Sequence, residues 1–238
     1  MPVFESISRS VIAEISGPNI FSYFEQSNLA GKVIIGALAF FSLVAWTIMI
    51  GKSIELRRMR FYNHGFEQKL REQGTLIDLP ETFRIPTPVP YATMFRDALD
   101  AYWRVVPRRG ESDERLSSAR VEHSENALQR AVANQTLVYE SSMVFLATIV
   151  SGAPFFGLLG TVWGVMDAFG AVAMQNTATL QSLAPGVSGA LLTTVAGLLV
   201  AIPSVFGYNY LLSRTRLLIT ESENFASSLA DRFELESR

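Results

Sequence analysis

Hydrophobic and polar positions fall in long blocks along this chain instead of alternating. An uncharged run extends from Val33 to Gly51 between Lys32 and Lys52, and from Glu140 to Arg214 the only charged side chain is Asp167. A helix needs about 20 apolar residues to cross the roughly 30 Å hydrocarbon core of a bilayer, so the first run fits one crossing and the second is long enough for two. The pattern predicts an all-α integral membrane protein: three transmembrane helices with long cytoplasmic helical extensions. The expected order is an amphipathic N-terminal segment over 1–30, a first transmembrane helix over 31–51, a hydrophilic helical region over 52–140, a second transmembrane helix over 141–168, a short outer loop over 169–185, a third transmembrane helix over 186–211 and a C-terminal helix over 212–238. Neither strand alternation nor an internal repeat is visible.

The polar segments are patterned as helices too. Val3, Ile7, Val11 and Ile15 recur at every fourth position until Gly17-Pro18, a pattern that fits a short helix lying on a membrane surface, with a frayed terminus as the alternative. Glu5, Arg9, Glu14 and Glu25 in the same stretch are unlike a cleaved signal peptide, and no cleavage is expected. Ile54 to Gln73 has no proline and should extend the first membrane helix, whereas Pro80, Pro86, Pro88 and Pro90 force an irregular connector. A short helix is expected around Ala92 to Val105. Ser112 then offers an N-cap, with Asp113 and Glu114 in the first turn, for a long helix running into the second crossing. Leu211, Leu218, Phe225, Leu229 and Phe233 form an apolar stripe, which predicts a packed tail helix.

Charge sets the orientation and narrows the chemistry. Lys52, Arg57, Arg58 and Arg60 follow the first crossing and Arg214 and Arg216 follow the third, while Met174 to Pro185 has neither Lys nor Arg. The positive-inside rule then places the N-terminus outside and the C-terminus in the cytoplasm. A formal net charge of -2 argues against a nucleic-acid binder built on a basic face, and zero cysteines exclude disulfides and thiol catalysis. His64 and His123 are isolated, so neither a metal site nor a cofactor is expected, and without a nucleophile–base pair or phosphate loop the chain is not read as an enzyme. Trp46 and Trp163 lie inside the expected spans and are read as packing residues.

Small residues dominate the second and third crossings. Gly152, Gly157, Gly160 and Gly164 are followed by Gly186, Gly189, Ala190, Gly197 and Ala201, a composition that lets helix backbones touch within the chain or between copies of it. Pro185 suits the start of the third helix, and Pro203 should kink it. The hydroxyls of Thr148, Ser151, Thr161, Ser188, Thr193, Thr194 and Ser204 are the polar inventory of these helices. A line of hydroxyls can pass a proton through water or hold a cation, although back-bonding to the preceding turn is the ordinary fate of such groups.

Two stretches resemble a known family. The run Gly157-Leu158-Leu159-Gly160-Thr161-Val162-Trp163-Gly164-Val165-Met166, then Ala184-Pro185-Gly186 through Ala190-Leu191-Leu192-Thr193-Thr194-Val195-Ala196-Gly197-Leu198 to Ala201-Ile202-Pro203 and Tyr208-Asn209, closely resembles the MotA/TolQ/ExbB proton channel family, TolQ/ExbB branch. Phe41-Ser42, Ala45-Trp46 and Ala178-Thr179-Leu180-Gln181 look closer to TolQ than to ExbB. The resemblance implies a bacterial inner-membrane protein with a periplasmic N-terminus and a cytoplasmic C-terminus. It implies a homopentamer around ExbD/TolR-type single-span partners, each bringing one membrane acidic residue, and pore threonines at Thr161 and Thr194. Ser188, Thr193 and Asp167 are weaker candidates for the ion path. Gly157, Gly160, Gly164, Gly186, Gly197 and Pro203 are the helix-packing set. The implied function is an ion (proton) channel or stator subunit that converts the proton motive force into mechanical work on the envelope, in a Tol-Pal or TonB-type system; its contacts are the homo-oligomer, the partner and membrane lipids.

One position departs from the family pattern. Where many members have Pro-Gly-x-x-Glu-Ala, this chain has Pro185-Gly186-Val187-Ser188-Gly189-Ala190, so the carboxylate is missing. Either Ser188 and water fill that role or conduction rests on the partner's acid. Asp167 is read foremost as an interfacial surface carboxylate. A non-conducting membrane scaffold is the alternative function; a small-solute secondary transporter fits less well, because the chain has neither an inverted repeat nor a buried charged site. Hydroxyls serve both protons and sodium, which leaves the ion open.

Overall fold

The computed structural model describes residues 23–25, 27–78, 89–107, 112–174 and 180–237. The expected amphipathic helix over Val3 to Ile15, most of the proline-rich connector and the stretch at Ala178-Thr179 lie outside the described residues. Among the described residues the chain is helical and has no strand: α1 (Leu29–Arg71), α2 (Pro90–Arg104), α3 (Asp113–Glu140), α4 (Met143–Ala173) and α5 (Leu180–Ser237). Three stretches are long and apolar enough to cross a membrane, at Leu29–Arg71, Asp113–Ala173 and Gln181–Ser237. The all-α membrane architecture read from the sequence is what the chain adopts.

The chain divides into two compact units, Met1–Ile48 with Phe145–Tyr208, and Met49–Val144 with Asn209–Arg238. The first unit holds the apolar parts of α1, α4 and α5. Its outer surface is strongly hydrophobic: Val33, Phe40, Leu43, Phe155, Val162 and Leu199 are all exposed, as a lipid- or protein-facing surface requires. Trp46 and Trp163 are also about half exposed, at 49% and 46%, so within one chain they face outwards and are not the packing residues expected. Small residues have taken the contact positions between helices, which leaves large side chains to cover the outside.

The second unit has an ordinary aromatic core. Tyr91, Met94, Phe95, Ala98 and Tyr102 line one face of α2 and pack with Phe66 and Leu70 of α1, Leu128 of α3, and Phe225, Leu229 and Phe233 of α5. Tyr91 stacks on Phe225 with ring centroids 4.0 Å apart. The tail stripe is thus buried, from Leu211 at 1% exposure to Phe233 at 0%. Arg232 donates to the carbonyls of Leu70 and Gln73 at 3.3 and 3.0 Å, satisfying acceptors at the C-terminal end of α1.

Three local expectations need correction. Ser112 occupies the N-cap of α3 with an extended backbone, yet its side chain makes no capping hydrogen bond. The helix from Asp113 does not run unbroken into the second crossing: it ends at Glu140, and Ser142, at φ 67°, turns the backbone before α4 begins. The cause is a competing set of partners at the helix end. Val138 O accepts the Ser141 hydroxyl at 2.7 Å and the Lys52 ammonium at 3.0 Å, and Lys52 also donates to Ser141 Oγ at 3.0 Å. A cation at a helix C-terminus is favourable, and this one is almost wholly buried, at 3% exposure. Lastly, α5 begins at Leu180, so Pro185 is inside it and not at its start. Pro185 falls just beyond the four N–H groups that have no acceptor within the helix, so it forgoes one bond, the one residue 185 would otherwise give to Gln181 O.

Candidate ion pathway

Within the first unit, α4 and α5 approach backbone to backbone because glycine occupies the crossing. A β-carbon on Gly197 would stand 2.7 Å from Ala153 O, and one on Gly157 would stand 2.9 Å from Thr193 O and 3.1 Å from Thr194 Cα. Gly160 is covered by the Thr193 side chain. One turn further, a β-carbon on Gly164 would meet Ala190 Cβ at 2.6 Å, and one on Gly186 would meet Ala168 Cβ at 2.9 Å. No larger residue fits at these contacts without moving a helix. Gly152, by contrast, has nothing within 4 Å of where a β-carbon would stand. Pro203 is half-buried in α5, which continues through it.

That approach gathers hydroxyls on one carbonyl. Gly157 O accepts from Thr193 Oγ1 at 3.0 Å, from Thr194 Oγ1 at 3.2 Å and from Thr161 Oγ1 at 3.2 Å. Thr161 Oγ1 also reaches Ala190 O at 3.3 Å, and the Thr161 and Thr194 hydroxyls are hydrogen-bonded to each other. A carbonyl has two lone pairs, so three hydroxyls around it leave at least one free to turn its proton elsewhere. Burial separates the three. Thr193 is fully enclosed at 0% exposure and also donates to Ala190 O at 2.7 Å, whereas Thr161 and Thr194 are only half-buried. Thr161 and Thr194 are therefore the two of these three threonines that keep exposed surface within one chain.

The other expected residues lie elsewhere in the unit. Ser188 is half-buried on a different face, in an apolar groove of about 670 Å³ with Tyr23, Phe24, Ile35 and Leu191. Asp167 is exposed, but it is not solvated alone: Asn28 Nδ2 donates to Asp167 Oδ2 at 2.5 Å. The same Asn28 caps α1, its Oδ1 accepting from Gly31 N at 2.7 Å. Ser151 and Ser204 bond back to Ala147 O and Val200 O at 3.0 and 2.7 Å, the ordinary fate of such hydroxyls. Asn28 was missed from the sequence. An asparagine directly before a helix is a recognised N-cap signal, but nothing in one dimension links it to Asp167.

Comparison with known proteins decides the family. Residues 90–224 match the description "MotA/TolQ/ExbB proton channel family". The chain belongs to that family. It is 28% identical to the Tol-Pal system protein TolQ of Pseudomonas aeruginosa, over 87% of this chain and 89% of the relative. It is 30% identical to the biopolymer transport protein ExbB of Neisseria meningitidis, over 83% and 90% respectively. With the ExbB of Pseudomonas putida it shares 33% identity over 78% of its length but spans only 54% of that relative. Identities to the two kinds of relative are alike, so they do not rank TolQ above ExbB for this chain. The family is one of proton channels that energise transport, and the α4–α5 contact with its paired threonines lies within the matched residues.

Proposed function

We propose that this chain is the channel-forming stator subunit of an ion-driven motor in the bacterial inner membrane, working with a single-span ExbD/TolR-type partner that carries one acidic residue in its helix. Five copies surround the partner helices, with the N-terminus in the periplasm and the C-terminus in the cytoplasm. The observation that carries this reading is the half-buried Thr161–Thr194 hydroxyl pair at the glycine contact of α4 and α5. A carboxylate is costly inside a bilayer unless it meets hydroxyls, water or a countercharge, and this pair presents two hydroxyls whose protons can be redirected. Thr193 in this account holds α4 to α5 and does not face the ion.

The partner's acid takes up a proton from the periplasmic side, becomes neutral, moves along the threonine-lined wall and releases the proton towards the cytoplasm. One charge falling through 100 mV supplies about 2.3 kcal/mol, so a few protons per cycle suffice to drive a conformational change against the envelope. No carboxylate of this chain takes part: Asp167 is engaged with Asn28, and position 189 is glycine. The subunit alone should therefore not conduct. The downstream system is Tol-Pal envelope maintenance or TonB-type import. Proton flux into liposomes containing the subunit with and without its partner tests the reading, with sodium gradients applied in parallel.

A further inference from the structure

Basic residues that follow the first and third crossings converge in the second unit. Arg57, Arg60 and Arg214 surround a cavity of about 140 Å³ with Tyr210, over a floor that includes Leu56 and Leu211. Both leucines are buried, at 3% and 1% exposure, while Arg57, Arg214 and Tyr210 are exposed. Arg57 Nη2 donates to the Tyr210 hydroxyl at 3.3 Å, and the Arg214 guanidinium stands 5.4 Å over the Tyr210 ring. Arg60 has its own counterion in Glu221 at 2.6 Å. Arg57 and Arg214 have no carboxylate at salt-bridge distance among the described residues.

Two guanidinium groups brought to one tyrosine repel each other, and an anion between them reverses the sign of that interaction. A guanidinium fork matches the oxygens of a phosphate, and a tyrosine hydroxyl supplies a further donor. We propose that Arg57, Arg214 and Tyr210 form a binding site for a phosphate group, supplied by the headgroup of an anionic phospholipid. Arg57 lies six residues beyond Gly51, and Arg214 directly follows the uncharged run, which is the depth of a headgroup when these helices span a bilayer. At that depth the phosphate at hand is a headgroup of the inner leaflet, which favours a lipid over a free phosphate.

The test uses the full-length protein in nanodiscs made from equal parts phosphatidylglycerol and phosphatidylcholine, with the lipid retained after detergent extraction measured by mass spectrometry. Wild type should retain phosphatidylglycerol in preference, and the R57Q/R214Q variant should lose about tenfold of that preference. R58Q/R216Q removes the same charge outside the cavity and should retain it. Tyr210→Phe, a change at an exposed side chain that keeps both charges, should lower the preference in part and keeps the test open if the double variant does not fold. Thermal protection by inorganic phosphate in detergent, without lipid preference, would reassign the source and overturn the lipid. Equal loss in both arginine pairs, or no preference in wild type, would overturn the site.

Discussion

Ser27 lies directly on Gly189: a β-carbon at position 189 would fall 2.9 Å from Ser27 Cα and 3.1 Å from its nitrogen. The place where the family pattern has a glutamate is thus occupied by main chain. Gly189→Glu is expected to displace the segment around Ser27 and to lower the unfolding midpoint, at a cost of about 1–3 kcal/mol, the usual range for overpacking. It should add no conduction. Thermal unfolding in detergent and protease sensitivity near Ser27 report the displacement; a variant as stable and as resistant as wild type would show that the segment yields freely.

The glycine contacts described above are within one chain, which changes what a bulky substitution tests. Gly160→Leu would force its side chain into Thr193 and separate α4 from α5 before it altered any contact between copies. The expected result is a less stable subunit, seen as a lower unfolding midpoint and loss of an α4–α5 cysteine crosslink. Loss of oligomer with the intrachain crosslink intact would instead place Gly160 at an interface between subunits.

Orientation is best tested at exposed positions. Asn63 and Ser222 are polar and look suitable for labelling from the sequence, but both are buried, at 2% and 1% exposure, and would be shielded whichever side they occupied. Phe61, Leu235 and Met174 are exposed at 77%, 69% and 88%. Single cysteines at Phe61 and Leu235 should resist a membrane-impermeant thiol reagent in intact cells and react after permeabilisation, while one at Met174 reacts from outside. Labelling at Phe61 in intact cells would invert the topology.

Alkaline pH should unfold the second unit through its buried tyrosines. Tyr139 accepts from Asn63 Nδ2 at 3.3 Å and contacts Ser222 Oγ at 3.4 Å, and burial raises its pKa above the ordinary 10.0; burial raises Tyr91 likewise. A folded pKa above the unfolded one means the native state holds the proton more tightly. Stability is then fully present below pH 10.0 and falls as pH rises past that value, by up to about 1.4 kcal/mol per pH unit for each such tyrosine. Tyr139→Phe should make the decline shallower, while costing about 1–3 kcal/mol at neutral pH through the partners it leaves. Unfolding midpoints from pH 8 to about 11 check both, and an unchanged slope would remove Tyr139 from the transition.

Long-period features were legible in the sequence and single contacts were not. Charge-free runs fix the crossings because a bilayer imposes one length scale, and the stripe Leu211, Leu218, Phe225, Leu229 and Phe233 announces its burial by spacing alone. The break at Ser142 was invisible because it depends on Lys52, distant in sequence, reaching Val138 O. Tryptophans misled because size alone does not tell a helix–helix contact from an outward face. At the candidate site the motif named Thr161 and Thr194, but Thr193 differs from its neighbour Thr194 in burial and in hydrogen-bond partners, which no composition reports.

The central claim is that the half-buried hydroxyl pair serves the partner's acid, and one measurement addresses it: proton flux in liposomes holding the subunit and its partner, compared for wild type and Thr194→Val. Valine keeps the shape of threonine and removes the hydroxyl, so the acid would face an apolar wall and its charged form would be disfavoured. Flux should fall at least about tenfold, equivalent to roughly 1.4 kcal/mol, with oligomer size unchanged. Thr161→Val should behave the same way. Wild-type flux in Thr194→Val, with the partner's acid still essential, would contradict the account and leave Thr194 as a packing residue.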